Sequence, residues 1–85
     1  MVICRPSPAA DPAEFARCLP DEAAVLRLHK ATGVLLDVWS PGGPGAVLML
    51  EVASAASAAD FAAALPLSVA GLVTPEIIEL HPVHL

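Results

Sequence analysis

Five consecutive proline and glycine residues, 41–45, separate two apolar runs of the chain. Their order, Pro-Gly-Gly-Pro-Gly, favours a tight reversal, because glycine adopts backbone angles that other residues avoid and proline presets a turn. The flanking runs, 34–40 and 46–52, are rich in β-branched and bulky side chains. We therefore predict two antiparallel strands joined by a hairpin.

The second of these runs is apolar on both faces. Side chains alternate between the two faces of a strand, yet Val47, Leu48, Met49 and Leu50 are all apolar. A strand with one face in water alternates apolar and polar residues instead. We therefore expect both faces of the sheet to be covered.

A helix is expected before the hairpin. The motif Asp11-Pro12-Ala13-Glu14 supplies an N-cap, a proline in the first helical position and an acid three residues after the cap. Pro20 clashes with the preceding turn, so we predict a break there and a new start at Asp21 and Glu22, where negative charge is favourable. The main helix should end before Gly33 and present one face made of Ala24, Val25, Leu28, Ala31 and Thr32.

Three further segments complete the pattern. Residues 1–4 and 72–80 have strand character, and Pro75 in the second of them predicts an edge position, a bulge or a place in the first part of the strand. The motif Ser57-Ala58-Ala59-Asp60 predicts the start of a short helix over 58–64. The predicted element order is therefore β-α-β-β-α-β.

This order is typical of an α+β, ferredoxin-like fold, and we treat 1–85 as a single domain. Two helices cover only one face of such a sheet. Because 56% of the residues are hydrophobic and a chain this small buries only about 60 to 65% of its unfolded surface, association is expected. Face-to-face pairing of two sheets gives a homodimer, the dimeric α+β barrel.

Charge excludes several partners. Four Lys and Arg residues stand against nine Asp and Glu residues, which argues against nucleic acid and against anionic membrane surfaces. The longest strongly hydrophobic stretch, 47–50, is far shorter than a membrane-spanning helix. Prolines and charges interrupt any signal-peptide core near the N-terminus. We therefore expect a cytoplasmic protein in which Cys4 and Cys18 are reduced.

Several positions together resemble a known family. They are Gly33, Trp39 and Ala46 with the hairpin between them, the segment Leu65-Pro66-Leu67, and the ending from Glu76-Ile77 to His81-Pro82. Over nearly the whole chain, these residues resemble the muconolactone isomerase-like and YciI-like branch of the dimeric α+β barrel proteins. The resemblance implies a pocket between helices and sheet, used by relatives for isomerisation, cyclisation, cofactor-free oxidation or binding of small organic molecules. The chain departs from the muconolactone isomerases at Asp37, where a more basic residue is expected.

Asp37 is one candidate acid or base. It interrupts an apolar strand, and by the period of two it shares a face with Leu35 and Trp39. A carboxylate buried there needs a partner or holds its proton, which suits proton transfer. The alternative is an edge position, with Asp37 either in water or paired with Arg5 or Arg27.

His29 is the second candidate, since histidine exchanges a proton near neutral pH. It follows Leu28 late in the main helix. The alternative is a half-exposed side chain whose cationic form is favoured at a helix C-terminus.

Four further residues are assigned to substrate binding: Trp39, Arg5, Leu28 and Met49. Trp39 can stack on a flat substrate, although packing in the core or an interface is the more frequent use of tryptophan. His81 and His84 lack a third ligand, so we predict no metal site and no cofactor. The apolar residues of 80–85 predict a tail that packs on a neighbouring subunit.

Two hypotheses follow. The first is a small-molecule enzyme of the isomerase or cyclase type, muconolactone isomerase-like, which transfers protons to a small apolar or aromatic molecule in an apolar pocket. The second is a non-catalytic ligand-binding or oligomerisation module of the same fold. A cavity of roughly 300 Å³ or more with Asp37 or His29 at its wall favours the first.

Overall fold

The helix signals after Asp11 produce one long helix in the computed structural model, which describes residues 1–84. This helix, α1, spans Pro12–Ala31. The Asp11 carboxylate accepts a hydrogen bond of 3.1 Å from the Ala13 amide, and Pro12 occupies the first turn. Gly33, with φ of +82°, follows the end of the helix, so the predicted cap and the predicted stop are both confirmed.

The predicted break at Pro20 is wrong. Pro20 lies exposed inside α1, and the helix continues through it. A proline in a helix interior costs about 3 kcal/mol, and packing of one continuous face on both sides of Pro20 offsets this cost. That face comprises Phe15, Cys18, Glu22, Val25, Leu26 and His29, which recur at intervals of one helical turn and are all buried or half-buried.

The buried face of α1 is therefore not the one predicted. Of the five residues assigned to it, only Val25 is half-buried, whereas Ala24, Leu28, Ala31 and Thr32 are exposed. The prediction placed a break at Pro20 and therefore derived the buried face only from the apolar residues that follow it. The observed face is set by the part of the helix that precedes Pro20 as well.

Four strands form one antiparallel sheet. They are β1 (Val2–Pro6), β2 (Leu35–Trp39), β3 (Ala46–Leu50) and β4 (Val73–Ile77), in the spatial order β2-β3-β1-β4. The hairpin between β2 and β3 is confirmed, with Trp39 opposite Val47. Within residues 1–84, Pro75 lies in β4 at the edge of the sheet, so the edge position is the one observed of the three alternatives predicted for it.

Two short helices follow β3. The first, α2, spans Ala55–Ala63, and the second, α3, is a single turn over Pro66–Val69. The prediction started α2 at Ser57, but Ser54 is its N-cap and accepts a 3.1 Å hydrogen bond from the Ser57 amide. Ser54 and Ser57 can both cap a helix, so their residue type alone does not show which of them does so. The N-cap of α2 lies three residues earlier than predicted.

The element order and the antiparallel sheet are compatible with a ferredoxin-like fold. The core lies between the helices and one face of the sheet, and its largest fully buried side chains are Val2, Leu35 and Leu48. The opposite, outer face carries Ile3, Val47 and Met49, which are half-buried, and the exposed Trp39. No helix among the described elements covers this outer face.

Gly45 fixes how the hairpin meets the sheet. Its φ is +105°, and a Cβ built on it overlaps the carbonyl oxygen of Cys4. We expect Gly45→Ala to lower the free energy of unfolding by about 2 kcal/mol, through left-handed strain and displacement of the β1 backbone. Urea denaturation measures this loss.

Gly42→Ala is the matched control for this prediction. Its φ is +94°, but nothing lies within 4 Å of the added Cβ, so only the backbone strain of about 1 kcal/mol applies. Equal losses in the two variants would show that the contact with Cys4 has no energetic role.

Candidate functional site

A cavity of about 300 Å³ lies between α1 and the helix-covered face of the sheet. The sheet contributes Cys4, Ala46 and Leu48, and α1 contributes an apolar side that includes Phe15 and Leu26. The rest of the wall comes from hairpin residues 43–45 and from Leu65, Leu67 and Val73. The volume reaches the lower end of the range for small-molecule sites.

One carboxyl group interrupts this apolar wall. Glu22 projects from α1 into the cavity wall and is only 8% exposed, the one charged residue in the buried core of the described chain. Its Oε1 accepts a hydrogen bond of 3.4 Å from the Leu67 amide at the start of α3. Burial raises the pKa of Glu22, and the Leu67 hydrogen bond only partly opposes this rise. A carboxyl with a raised pKa in an apolar cavity is suited to proton transfer.

Cys4 faces the same cavity from β1 and is a free thiol. Its pKa is raised by burial and, secondarily, by the negative charge of Glu22. The thiolate is the nucleophilic form of cysteine, and both effects disfavour it. Cys4 therefore acts here as an apolar wall residue.

The environment of Glu22 makes folding stability depend on pH. The folded chain binds the Glu22 proton more tightly than the unfolded chain, so stability falls as pH rises from the ordinary pKa near 4.5 through the raised folded value. Above that window the loss is complete. We expect Glu22→Gln to match the original chain below pH 4.5 and to be the more stable protein at pH 8, as measured by urea denaturation.

Glu14→Gln is the control for this pH prediction. Glu14 lies exposed in the first turn of α1, so its replacement leaves the pH dependence in place. Parallel stability curves for Glu22→Gln and the original chain over pH 4 to 8 would contradict the prediction.

The two acid-base candidates from the sequence lie away from this cavity. Asp37 sits on the edge strand β2 with its side chain 59% exposed, and its Oδ1 lies 3.7 Å from Lys30 Nζ. The edge alternative for Asp37 is therefore confirmed, although its partner is Lys30 and not an arginine. His29 packs edge-on against Phe61 of α2 with ring centroids 4.6 Å apart, which places it between two helices.

The four predicted substrate-binding residues are also dispersed. Arg5 Nη1 lies 3.4 Å from both carboxylate oxygens of Glu76 on the neighbouring strand. Leu28 is 63% exposed on α1, and Trp39 is 59% exposed on β2. Met49 lies beside Asp37 in the pairing of β2 with β3. None of these four residues lines the cavity that contains Glu22.

Met49 instead borders a second depression, of about 380 Å³, at the end of the sheet. Its wall includes Glu51, Ala53 and Glu79, all exposed. The wall of the first cavity includes several core residues, such as Leu48 at 1% exposure, whereas the second depression has far fewer buried residues. We therefore take the smaller cavity as the candidate site, because a ligand there loses more contact with water.

The chain after β4 has no regular secondary structure in its described part. Leu80 and Val83 are exposed, and His81 Nε2 lies 3.7 Å from Glu79. Docking of the tail on a neighbouring subunit stays a prediction, and its last residue, Leu85, lies outside the described residues. Within 1–84, no three His, Cys, Asp or Glu side chains cluster as metal ligands would.

Neither α1 nor the two shorter helices of the described chain has the length and apolarity to span a bilayer.

Glu22 was not predicted from the sequence, because its place in the helix depends on the continuity of α1. A helix that restarts at Asp21 makes Glu22 a first-turn acid, which needs no further explanation. Continued through Pro20, the same helix places Glu22 four residues after Cys18 and four before Leu26, in the middle of the buried face. The available signal was this spacing, a lone acid at an apolar position.

No protein-family model matches the chain. A search of curated proteins likewise finds no matching sequence.

Proposed function

We propose that the cavity between α1 and the sheet binds a small apolar or aromatic organic molecule and that Glu22 transfers protons to and from it. Under this proposal, the chain is an enzyme of the isomerase or cyclase type, as the resemblance to the muconolactone isomerase-like branch implies. The observation that carries the proposal is the buried Glu22 carboxyl in an otherwise apolar wall. Glu22 thus takes the role that the sequence analysis gave to Asp37 and His29.

The chemistry requires one carboxyl group and no cofactor. In an isomerisation, the protonated Glu22 carboxyl donates its proton to the carbonyl oxygen of a β,γ-unsaturated substrate, and the carboxylate so formed removes a proton from the carbon beside the carbonyl group. That proton is then returned to the γ-carbon, the double bond moves, and Glu22 takes back the proton from the oxygen. A raised pKa makes the carboxylate a stronger base than an ordinary glutamate.

Ligand screening by thermal shift tests the binding step. Aromatic lactones and polyketide-like ketones are the probes of choice, because they combine an apolar ring with an exchangeable proton beside a carbonyl group. A ligand at one hundred times its Kd stabilises the chain by about 2.7 kcal/mol, which corresponds to a Tm rise of roughly 15 °C for a domain of this size. Absence of any shift across the set would contradict the proposal.

A larger side chain on the cavity wall is expected to weaken ligand binding. Ala23 lies on the cavity wall, and Ala23→Leu adds three carbon atoms to that space without lowering helix propensity. We expect the Kd of any ligand from the screen to rise at least about tenfold, which corresponds to 1.4 kcal/mol. Isothermal titration measures the change.

Ala24→Leu is the matched control, since Ala24 is the next residue of α1 and is exposed. It adds the same atoms to the same helix outside the cavity. Equal ligand affinity of the two variants would place the binding site elsewhere.

Self-association is a second proposed function, which the outer sheet face favours. Trp39, Val47 and Ile3 lie opposite one another across β2, β3 and β1, and form an apolar row. The row continues on β4 with Glu76, which pairs with Arg5. The occupant that fits is a second copy of this face, because two-fold pairing buries both apolar rows and brings an Arg5 and a Glu76 from each copy to the interface.

This pairing of two sheets is the dimeric α+β barrel, and it is compatible with either an enzyme or a non-catalytic module. Light scattering at micromolar concentration tests it directly. A homodimer has twice the 8.7 kDa mass of one chain. A monomeric mass would remove the argument for the barrel.

A further inference from the structure

The candidate cavity is lined by acidic but no basic side chains. Among the residues that line it, Glu22 and Cys4 are the titratable groups, and there is no lysine, arginine or histidine. An anionic ligand would place an uncompensated negative charge in an apolar enclosure next to a carboxyl group. Transfer of an unpaired charge out of water is heavily disfavoured, so the wall selects against anions.

Binding of a cationic ligand is also unfavourable. It could pair with ionised Glu22, but a buried ion pair is favourable only when further hydrogen bonds satisfy its remaining donors and acceptors. Among residues 1–84, the Leu67 amide is the hydrogen-bond partner of this carboxyl, and the surrounding wall is apolar. An ammonium group would therefore leave donors unsatisfied.

A neutral ligand avoids both costs. The protonated Glu22 carboxyl has one O–H donor, while its Oε1 continues to accept from the Leu67 amide. A carbonyl oxygen is the complementary group, because it accepts this hydrogen bond and carries no charge. The rest of the wall matches an apolar ring.

We infer that the cavity selects neutral, carbonyl-bearing cyclic molecules over charged molecules of the same shape, with the Glu22 carboxyl as hydrogen-bond donor to the carbonyl oxygen. This inference rests on the proposed function and specifies its substrate class.

A pH dependence follows from the donor role. Affinity for the ketone falls as pH rises through the raised pKa of Glu22, because the carboxylate has no proton to donate. The groups that face this carboxyl are the Leu67 amide from α3 and the Cys4 thiol from β1. The pKa of Cys4 is raised above 9.0, so the thiol stays neutral across the range that matters.

Four probes of one shape test the inference: 1-tetralone, tetralin, 1-aminotetralin and tetralin-1-carboxylate. Isothermal titration at pH 4.5 to 8.5 gives the four affinities. At pH 4.5 we expect 1-tetralone to bind at least tenfold more tightly than tetralin and 1-aminotetralin. The comparison with tetralin-1-carboxylate is made at pH 6, where that probe is ionised, and the same tenfold preference is expected. The ratio of the affinities for 1-tetralone and tetralin should fall to one as pH rises, along a curve that fits the ionisation of one group. The affinity for tetralin itself should stay constant.

Two variants separate hydrogen bonding from shape. Glu22→Gln retains an N–H donor and should keep the preference for 1-tetralone without the pH dependence. Glu22→Leu should abolish the preference and leave the affinity for tetralin unchanged. Should Glu22→Leu not fold, loss of the pH dependence in Glu22→Gln still decides the role of the carboxyl.

The outcomes distinguish failure of the inferred substrate class from failure of the proposed function. Tightest binding by the ammonium or the carboxylate probe, or equal binding of 1-tetralone and tetralin at low pH, overturns the inference and leaves a binding cavity in place. Failure of all four probes to bind overturns the proposed function and this inference with it.

Discussion

Glu22→Gln is expected to lower turnover of a substrate identified by the ligand screen by about 10² to 10⁴-fold, the usual contribution of a general acid or base. Glutamine has the size of glutamate, and its carbonyl oxygen can still accept from the Leu67 amide, so the fold and the cavity are retained. It cannot take up and release a proton. Steady-state kinetics with the variant should therefore show a fall in kcat with a small change in KM.

Glu14→Gln and Asp37→Asn complete this experiment. Glu14 lies exposed on the same helix and should have no effect. Asp37→Asn tests the assignment made from the sequence, and we expect it to keep full turnover, because Asp37 is exposed on the edge strand and lies near Lys30. Loss of turnover in Asp37→Asn, with full turnover in Glu22→Gln, would return the catalytic role to Asp37.

Val47→Lys is expected to dissociate the proposed homodimer. Val47 lies between Trp39 and Ile3 in the apolar row of the outer face, and the substitution places a lysine from each copy in the interface. Burial of an unpaired ammonium group costs several kcal/mol, so the dimer Kd should rise at least about 100-fold. Light scattering over a dilution series measures this change.

Val69→Lys is the control for the interface. Val69 is 74% exposed on α3, outside the sheet, and its replacement should leave the dimer intact. A dimer that survives Val47→Lys but dissociates in Val69→Lys would place the interface on the helices.

Local sequence signals predicted the strands and their pairing well. The hairpin, the cap at Asp11 and the stop at Gly33 were all confirmed, because each depends on the backbone preferences of a few adjacent residues. The outcome at Pro20 depends instead on packing along the whole of α1. Local preference favours a break there, and tertiary contacts on both sides of it favour continuity.

The candidate site could not be predicted for the same reason. Its carboxyl belongs to the buried face only if the helix is continuous, and the cavity combines α1 with β1, β3 and α3, which are distant in sequence. Asp37 was predicted as the acid or base because a single carboxylate interrupts an otherwise apolar strand. The position of that strand at the edge of the sheet, which leaves Asp37 in water, follows from the strand order and not from the strand itself.

Hairpin residues 43–45 form part of the cavity wall, although the hairpin itself is exposed for most of its length. One side of the proposed binding site is therefore built by a surface turn, while the other sides are built by the core. Surface turns accept changes of length and sequence far more readily than core positions do. Related chains that keep Gly45 and differ only in the rest of this turn would share a scaffold and an acid while accepting ligands of different size, and exchange of those residues offers a way to alter ligand range without redesigning the core.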